Sequence, residues 1–450
     1  MEICTIGGYE EVGKNMTAVK VGDDVIIFDA GIFLPPLVEL QEQEREIKYS
    51  EPMLRKIKAI PDDTVLDRLG WTEKVRAIVV GHAHLDHVGG LPYLVHRYPN
   101  AEIIATPFTM EIFESIIKDE NINVRNKRVR VKPNSFYEVK GSNGKLKIEF
   151  IHTTHSTIQC VFVLWHSDDG GFFYGLDFKI DQNPVMGDSF SFSRLKELGR
   201  KKAVKCAVID SLYSDTDRRT ASERIARNLL EDAMSTVREK NSAFFVTTFS
   251  SHIARLKSIV DFGKKTKREI VFLGRSLNKY VNAANNVGMC PFAKNIKLLK
   301  YRRQVDSFLK KIDKNRGRYL VVCTGHQGEK GSILDRIVDN KTQFRFKSGD
   351  NLIFSSSVIP APENINARAK LDRRLRSAGV RIQTDVHVSG HGGREDLRDL
   401  IEMLKPENII PAHGTLQQET PMVDLATELN YKFHENVHLS SDGKVIEIKQ

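Results

Sequence analysis

Residues 81–87 of the chain read Gly-His-Ala-His-Leu-Asp-His, which places three imidazoles and one carboxylate within seven positions. A run of apolar residues precedes the stretch, so it lies on the loop that leaves a buried strand. Imidazole and carboxylate are ligands that Zn²⁺ accepts. Alternate residues of an extended loop point the same way, so His82 and His84 can share one ion, while Asp86 and His87 can reach a second. The spacing predicts a two-metal centre, and a run of solvated loop histidines is the alternative.

Length and composition predict a soluble, cytoplasmic protein of two or three domains. A chain of 450 residues is long enough to bury several cores. It begins without a basic and apolar leader, and no apolar run approaches membrane-spanning length, so no membrane partner is expected. The cysteines are scattered and form no CxxC pair: Cys4, Cys160, Cys206, Cys290 and Cys323. They are expected to be free, buried thiols in a reducing compartment.

Charge is distributed unevenly along the chain. Residues 191–350 contain 35 Lys and Arg against 16 Asp and Glu, a net charge of +19, which leaves −9 for the rest of a chain whose total is +10. The candidate metal ligands lie in the acidic part. This asymmetry indicates a middle region that holds a polyanion and flanking regions that act on it, with generic solvated lysines as the alternative for any single run.

Further candidate ligands follow other apolar runs, at the point where each run ends. They are Asp29, His155, Asp177 and His413. Because the carboxyl ends of strands in packed sheets lie along one edge, we expect these side chains to meet the 81–87 loop there. Asp29 is expected to orient a ligating histidine through a hydrogen bond, and a carboxylate that only binds turn amides is an equal alternative.

Two sets of four ligands result if Asp177 is shared. The first set is His82, His84, His155 and Asp177, and the second is Asp86, His87, His413 and Asp177. A pair of zinc ions in these sets lowers the pKa of a bound water and clamps the attacking and leaving oxygens of an in-line displacement. His152 is an alternative to His155, but strand alternation points it to the opposite face.

The middle region alternates predicted strands with helical stretches. The strands are expected at residues 207–209, 243–246, 270–273, 320–322 and 352–354. One helix is expected over residues 223–240, with one apolar face that consists of Ile225, Leu229, Leu230, Ala233 and Val237. This alternation predicts a parallel sheet covered by helices. Residues 34–67, by contrast, are polar and irregular, and are expected to form loop with some helix.

A candidate anion site lies at residues 247–252, Thr-Thr-Phe-Ser-Ser-His, which follow a buried strand and precede a helix that carries Arg255. Hydroxyls and free amides at a helix N-terminus bind anions. The alternative is that Ser250 and Ser251 are simply a helix cap.

Several longer stretches together resemble the ribonuclease J family of the β-CASP nuclease group. They are Gly-Gly-Tyr-Glu-Glu-Val-Gly-Lys-Asn-Met (7–16), Gly-Leu-Asp-Phe-Lys (175–179), Thr-Phe-Ser-Ser (248–251), Leu-Gly-Arg-Ser (273–276), Thr-Gly-His-Gln-Gly-Glu (324–329) and His-Val-Ser-Gly-His (387–391). The resemblance covers nearly the entire chain. The chain ends soon after residue 443, without room for the extra C-terminal domain of bacterial members, so it is similar to the short archaeal form.

The resemblance implies a metallo-β-lactamase αββα sandwich with an inserted β-CASP α/β domain. The sandwich is expected at residues 1–195 and 381–450, and the insert at 196–380. Asp210, His391 and His413 match the acidic and histidine motifs of the β-CASP group. Asp86, His391 and Asp210 are expected to be catalytic. His391, in a Gly-rich turn, is a candidate to protonate the leaving 3′-oxygen or to stabilise the phosphoryl oxygens. Asp210 has a structural alternative in which it bonds the loop at Ser211.

The resemblance further implies a ribonuclease with two zinc ions per chain, for which manganese is an alternative. It would degrade single-stranded RNA 5′→3′ to mononucleotides, favour a 5′-monophosphate end and also cleave internally. The RNA- and phosphate-binding residues are expected to be Phe249, Ser250, Ser251, Arg255, Arg275, His387, Ser389, Gly390 and His391. A buried polar row at 387–391 is the alternative for the last four of these. A homodimer is expected to form through the core domains.

Two other functions remain open at this point. The first is a hydrolase of small esters or thioesters on the same fold, which the cationic middle argues against because a small substrate needs no such field. The second is a catalytically silent RNA-binding β-CASP protein. The presence of every candidate ligand argues against it.

Overall fold

A computed structural model describes residues 1–37, 49–237, 239, 241–359 and 362–449. Residues 38–48 of the predicted irregular region lie outside the described residues, and its remainder contains two short helices. The described strands, in chain order, are β1 (Glu2–Gly7), β2 (Met16–Val21), β3 (Asp24–Phe28), β4 (Val75–Val80), β5 (Glu102–Ala105), β6 (Arg128–Arg130), β7 (Ser135–Lys140), β8 (Lys145–His152), β9 (Val161–Ser167), β10 (Gly170–Gly175), β11 (Val204–Asp210), β12 (Phe244–Thr247), β13 (Glu269–Leu273), β14 (Lys297–Leu299), β15 (Tyr319–Cys323), β16 (Asn351–Phe354), β17 (Arg381–Gln383), β18 (Asn408–Ala412) and β19 (Lys444–Glu447).

The described α-helices connect these strands. They are α1 (Glu51–Lys56), α2 (Val65–Arg68), α3 (Leu85–Val88), α4 (Leu91–Leu94), α5 (Pro107–Asp119), α6 (Phe192–Arg200), α7 (Glu223–Ser235), α8 (Ile253–Lys265), α9 (Arg275–Asn286), α10 (Arg302–Lys314), α11 (Ile333–Val338), α12 (Pro362–Ser377), α13 (Arg394–Leu404) and α14 (Leu416–Glu428). None of them combines the length and the apolar composition that crossing a bilayer requires.

The strands form three sheets. The first has the order β19-β1-β2-β3-β4-β5-β6, and the second has the order β18-β11-β10-β9-β8-β7. The third, β14-β13-β15-β12-β16-β17, is parallel throughout, as the alternation of strands and helices in the middle region predicts. Parallel strands need crossover connections, and helices α8 to α12 lie between successive strands of this sheet.

The first two sheets pack face to face around a common core. Phe28 of the first sheet contacts Phe172 and Tyr174 of the second, with ring centroids 4.9 and 5.4 Å apart. Buried residues of both sheets belong to this cluster, and separate clusters cover the outer faces with helices. Central strands such as β3, β10 and β11 bury side chains on both faces, so their sequences are continuously apolar rather than alternating. The αββα sandwich and the inserted α/β domain are therefore both present.

Strand β11 differs from its sequence-based assignment. The alternation of strands and helices predicts residues 207–209 in the insert, but β11 pairs in parallel with β10 and with β18, both of the second sheet. An apolar run does not encode its partners, so its sequence could not distinguish the two sheets. We propose that the insert begins after Asp210 rather than at 196, and that it ends after β17, which lies in the third sheet.

Helix α7 is shorter than the sequence predicts, and it buries a different face. It ends at Ser235, and residues 238 and 240 of the predicted helix lie outside the described residues. Its buried apolar face consists of Ala226, Leu230, Ala233 and Met234. Ile225 and Leu229 are 48% and 38% exposed, so their assignment to the buried face is wrong. Leu230, Ala233 and Met234 belong to the same buried cluster as Ile253, Leu256 and Ile259 of α8.

Glu419 of α14 is fully buried, and neither of its carboxyl oxygens has a hydrogen-bond partner among the described residues. Burial raises its pKa to about 9, and the nearby carboxylates of Asp442 and Glu11 act in the same direction. Since the folded protein holds this proton more tightly than the unfolded chain, stability contributed by the protonated group is lost as pH rises from about 4.5 towards 9.

Glu419→Gln should therefore stabilise the protein in a pH-dependent way. Glutamine resembles the protonated acid but does not titrate, so the gain should be absent near pH 4.5 and reach about 3 kcal/mol at pH 7. Thermal unfolding midpoints of both proteins at pH 5 and pH 8 measure this difference. An equal difference at both pH values would show that Glu419 does not carry a raised pKa.

Candidate metal centre

The predicted ligands converge at one edge of the sandwich. The 81–87 loop follows β4 of the first sheet, and His155, Asp177 and His413 follow β8, β10 and β18 of the second. The ligand atoms of each predicted set lie within 4.8 Å of one another. The structure therefore brings together all seven residues that the sequence analysis named as ligands.

In the first set, three imidazole nitrogens surround one carboxylate oxygen. The Nδ1 atom of His84 lies 3.1 Å from Nε2 of His82 and 3.1 Å from Nε2 of His155. Asp177 Oδ2 lies 3.4 and 3.5 Å from the same two Nε2 atoms. His152, the alternative to His155, is turned away, with Nε2 2.9 Å from the carbonyl of Asp188.

The second set uses the other oxygen of the same carboxylate. Asp177 Oδ1 lies 3.2 Å from His87 Nε2 and 3.7 Å from His413 Nε2. Asp86 Oδ2 lies 3.5 Å from His87 Nε2 and 3.9 Å from His413 Nε2. Asp177 thus faces both sets, as a bridging ligand would.

The donor set fits divalent metal ions. Asp177 Oδ1 is buried and has no hydrogen-bond partner among the described residues, which is costly unless a cation neutralises it. Burial lowers the pKa of His84 to about 3 and also lowers the pKa values of His82 and His155, so these rings are neutral and offer lone pairs. Burial opposes ionisation of Asp177, but the surrounding imidazoles, above all His87, lower its pKa well below the usual range.

Hydrogen bonds from outside the two sets orient the ligands. Asp29 Oδ2 accepts from His87 Nδ1 at 2.6 Å, and its Oδ1 accepts from the Gly81 amide at 2.9 Å, so both roles considered for Asp29 are present. His413 Nδ1 donates to Asn15 Oδ1 at 3.0 Å, and Asn15 Nδ2 donates to the carbonyl of Asp86 at 3.0 Å. Such partners fix the ring orientation and the tautomer of a ligating histidine.

Asn15 is a supporting residue that its sequence context does not reveal. It lies within the 7–16 stretch, but a polar residue beside a Gly-rich turn is ordinary in any loop, and only the folded contact shows its role. The one sequence signal was its place directly before a buried strand, β2.

Three of these strand-end residues have left-handed backbones. The φ angles of Asp29, Asp177 and His413 are 59°, 50° and 62°. This conformation costs about 1–2 kcal/mol for a residue with a side chain, and it persists where the surrounding structure holds it, often at functional sites. Here it turns the carboxylate or imidazole from the end of its strand towards the cluster.

His391 lies beside the cluster as a cationic group. Its Nδ1 donates to Asp210 Oδ2 at 2.7 Å, and its Nε2 lies 3.6 Å from Asp177 Oδ2. Burial lowers the pKa of His391, but Asp177 and Asp210 outweigh burial and raise it to about 9. The ring therefore carries a proton at Nε2 that faces the ligands. Asp210 Oδ1 also accepts from the Leu212 amide at 2.9 Å, so the structural role considered for Asp210 is present as well.

The predicted phosphate-binding residues divide into two groups. The first lies near the cluster: Ser251 Oγ is 3.1 Å from His84 Nε2, and the Gly390 carbonyl accepts from His155 Nδ1 at 2.7 Å. Ser389 Oγ, in the same turn as Gly390, accepts from the His391 amide at 3.0 Å. A side chain at position 390 would come within 2.9 Å of His155 Cε1, so only glycine fits there.

The second group lies in the insert, around Phe249. The Phe249 ring contacts His326, with centroids 4.3 Å apart, and lies 6.3 Å from the ring of His387. The Ser250 hydroxyl lies 2.9 Å from that of Ser276, and Arg275 is exposed at the start of α9.

Two expectations for this region are corrected. Arg255 is fully buried, with its guanidinium paired to Glu223 at 2.6 and 2.8 Å, so the prediction that it contacts phosphate is wrong. The cap of α8 is His252, whose Nδ1 accepts from the Arg255 amide at 3.2 Å, rather than Ser250 or Ser251. Both corrections depend on contacts with distant residues, which spacing does not encode.

An αββα sandwich with this ligand cluster at its edge, and with a parallel α/β insert, defines a hydrolase of the metallo-β-lactamase fold with a β-CASP domain. Family models agree: the metallo-beta-lactamase superfamily matches residues 9–173, the ribonuclease J beta-CASP domain matches 241–371, and the Zn-dependent metallo-hydrolase RNA specificity domain matches 379–439. A crystal structure of a protein of unknown function from Enterococcus faecalis V583 shares the fold, with a TM-score of 0.63 and 16% identity over 99% of each chain.

The chain belongs to the ribonuclease J family. It is 37% identical to the ribonuclease J of Methanocaldococcus jannaschii over 100% of this chain and 99% of that one. It is 39% identical to the ribonuclease J of Pyrococcus abyssi over 100% of this chain and 97% of that one. Ribonuclease J 1 of Streptococcus pyogenes is 28% identical, and 74% of its length is covered. The protein is therefore a metal-dependent nuclease, and this decides against the small ester or thioester hydrolase.

Proposed function

We propose that this protein is a zinc-dependent exoribonuclease that degrades single-stranded RNA 5′→3′ to mononucleotides, favours a 5′-monophosphate end, and also cleaves internally. The observation that carries the proposal is the position of Asp177, whose two carboxylate oxygens face separate ligand sets, with Nε2 of His391 3.6 Å from its Oδ2. The names of the archaeal and bacterial relatives support ribonucleic acid as the substrate.

The metal ligands, His391 and Asp210 have separate roles in the proposed reaction. Two zinc ions, with manganese as an alternative, would be held by His82, His84, His155 and Asp177 and by Asp86, His87, His413 and Asp177, and would activate water and neutralise phosphoryl charge. His391 Nε2 carries the proton that the leaving 3′-oxygen needs. Asp210 holds the imidazolium in orientation through Nδ1. Asp177 and Asp210 raise the pKa of His391 and so favour the protonated ring.

The charge of the middle region of the chain supports a polyanionic substrate. Residues 191–350 carry a net charge of +19, and such a field attracts backbone phosphates without sequence preference and with strong salt dependence. Not every basic residue serves this purpose. Arg268 donates to the carbonyls of Ser242 and Glu239, at 2.8 and 3.0 Å, and so stabilises the fold of the insert.

A pocket for the 5′ end would lie between the two groups of predicted phosphate-binding residues. The 248–251 loop connects Phe249 with the metal cluster, since Ser251 contacts His84 only two residues further along. A terminal phosphate bound beside this loop and Ser389 would place the first phosphodiester close to the ligands. This short separation supports the release of single nucleotides.

We further propose a cytoplasmic homodimer that forms through the core domains. All five thiols are free and buried, which suits a reducing compartment. Ile225 and Leu229 lie one turn apart on α7 and remain exposed, so this apolar pair is a candidate for the contact between subunits.

The proposal is tested with 5′-labelled RNA that carries either a mono- or a triphosphate, incubated with and without a chelator. We expect labelled mononucleotide from the monophosphate substrate, much slower release from the triphosphate, and no release after metal removal. Mononucleotide release that survives thorough metal removal would contradict the metal-dependent mechanism. Equal rates on both 5′ ends would refute the monophosphate pocket and leave the nuclease intact.

A further inference from the structure

Two hydroxyl groups of the insert reach the 81–87 loop. The Tyr280 hydroxyl donates to the backbone carbonyl of Ala83 at 3.2 Å, whereas the Ser251 hydroxyl contacts a ligand side chain. Ser251 Oγ lies 3.1 Å from His84 Nε2, whereas Nδ1 of the same ring faces His82 and His155. A neutral imidazole that offers Nδ1 to a metal carries its proton at Nε2 and needs an acceptor there. The Ser251 hydroxyl is placed as that acceptor, and the hydroxyl of Ser156, at 3.5 Å, is at the limit of a hydrogen bond.

A buried ion pair holds the first turn of α8, which begins two residues after Ser251. Glu223 binds the Arg255 guanidinium at two points, Oε1 to Nε at 2.6 Å and Oε2 to Nη2 at 2.8 Å. Arg255 Nη1 donates to the carbonyl and to the hydroxyl of Ser355, at 2.9 Å each. Glu223 Oε2 also lies 3.3 Å from Nε2 of His252, the residue that follows Ser251. A two-point pair of this kind fixes direction as well as distance.

The same ion pair is tied to the sandwich. The Glu223 amide donates to Asp181 Oδ2 at 2.8 Å, and Lys179 Nζ lies 3.9 Å from Glu223 Oε2 and 3.7 Å from Asp181 Oδ2. Lys179 and Asp181 follow β10, the strand that delivers Asp177. A continuous series of polar contacts therefore runs from the sandwich, through Glu223 and Arg255 in the insert, to the turn that carries Ser251.

We propose that Ser251 is a positioning residue for the His84 ring and that the Glu223–Arg255 ion pair holds Ser251 in place. Through this contact the insert completes the metal centre. When the insert lies on the sandwich, Ser251 fixes the ring of His84. When the contact is lost, His84 is free to rotate and the first ligand set loses its geometry. The insert thereby sets the affinity for one of two metal ions in addition to binding RNA. This inference rests on the proposed function, because it assumes that the cluster holds the catalytic metals.

Ser251→Ala tests the contact itself. Titration of the metal-free protein with Zn²⁺ against a chromophoric chelator should show one of two sites weakened by about 10- to 100-fold, the usual effect of losing such a partner. The other site should keep its affinity, and Ser251→Thr, which retains the hydroxyl, should restore the first. Ser258→Ala is the matched control, since the Ser258 hydroxyl, in the helix that follows Ser251, donates to the Ala254 carbonyl instead. It should leave both affinities unchanged.

Glu223→Gln and Arg255→Lys test the ion pair. Each should weaken the same site, and combination with Ser251→Ala should add little, because both changes act through one contact. Glu149→Gln is the control, since Glu149 has the same kinds of partner, Arg194 at 2.7 and 2.8 Å and His166 at 2.7 Å, away from the cluster. If the Glu223 variant does not fold, the Ser251 titration decides alone.

The outcomes separate this inference from the proposed function. Wild-type protein that cleaves RNA with bound metal, together with a Ser251→Ala variant of unchanged zinc affinity, would overturn the positioning role and nothing else. Wild-type protein that binds no metal at the cluster would overturn both.

Discussion

Asp177→Asn should reduce RNA cleavage by about a thousandfold or more and remove metal from both ligand sets. A metal ion contributes several kcal/mol to the stabilisation of the transition state, and each 1.36 kcal/mol corresponds to a factor of ten. Among the described residues, Asp177 is the one carboxylate that faces both sets, with Oδ2 towards His82 and His155 and Oδ1 towards His87 and His413. Asparagine keeps the shape but removes the charge and replaces one oxygen by an amide.

The metal content of the purified variant and its kcat/KM on single-stranded RNA measure this effect. Asp24→Asn is the matched control, because Asp24 is also a buried carboxylate of the sandwich but pairs with Arg76 at 2.7 Å, at the opposite end of β3. It should retain both metal and activity. An Asp177→Asn variant that keeps two ions and more than a tenth of the activity would show that Asp177 does not bridge them.

His391→Ala should lower kcat by about 100- to 10,000-fold, the range for loss of a general acid, while the protein keeps its metal. His391 is absent from both four-residue ligand sets and presents a protonated Nε2 at 3.6 Å from Asp177 Oδ2. His438→Ala is a suitable control, since this histidine contacts Asn408 in another part of the sandwich. Loss of bound metal in the His391 variant, in proportion to the lost activity, would assign His391 a ligand role instead.

The pH dependence of kcat is a second test of the role of His391. The acid form of His391 is the active form, so kcat should fall as pH rises through its pKa. That pKa is about 9 without metal, and bound cations will lower it, so we expect the alkaline limb below pH 9. Asp210→Asn should shift this limb to still lower pH, because Asp210 helps to hold the proton.

The sequence predicts which side chains meet at the sheet edge because their chemistry and their position are both local. The 81–87 stretch carries its own spacing, and Asp177 and His413 each follow an apolar run that ends at the sheet edge. Periodicity likewise predicts the parallel sheet of the insert. The spacing of the ligands and the alternation of strands with helices can both be recognised in a single sequence.

Tertiary contacts account for the errors. Strand β11 reads like the strands of the insert, and only its pairing with β10 and β18 places it in the sandwich. Arg255 has the sequence context of a phosphate contact, yet Glu223, 32 positions away, neutralises it in the interior. Asn15 and Ser251 support His413 and His84 across 398 and 167 positions of the chain. No local pattern encodes such partnerships.

Anomalous diffraction at the zinc edge from crystals of the zinc-loaded protein tests the two-metal centre most directly. We expect two peaks about 3.5–4 Å apart, the usual separation in two-metal sites. One peak should lie among His82, His84 and His155, the other among Asp86, His87 and His413, with Asp177 between them. A single peak, or peaks away from Asp177, would contradict the account.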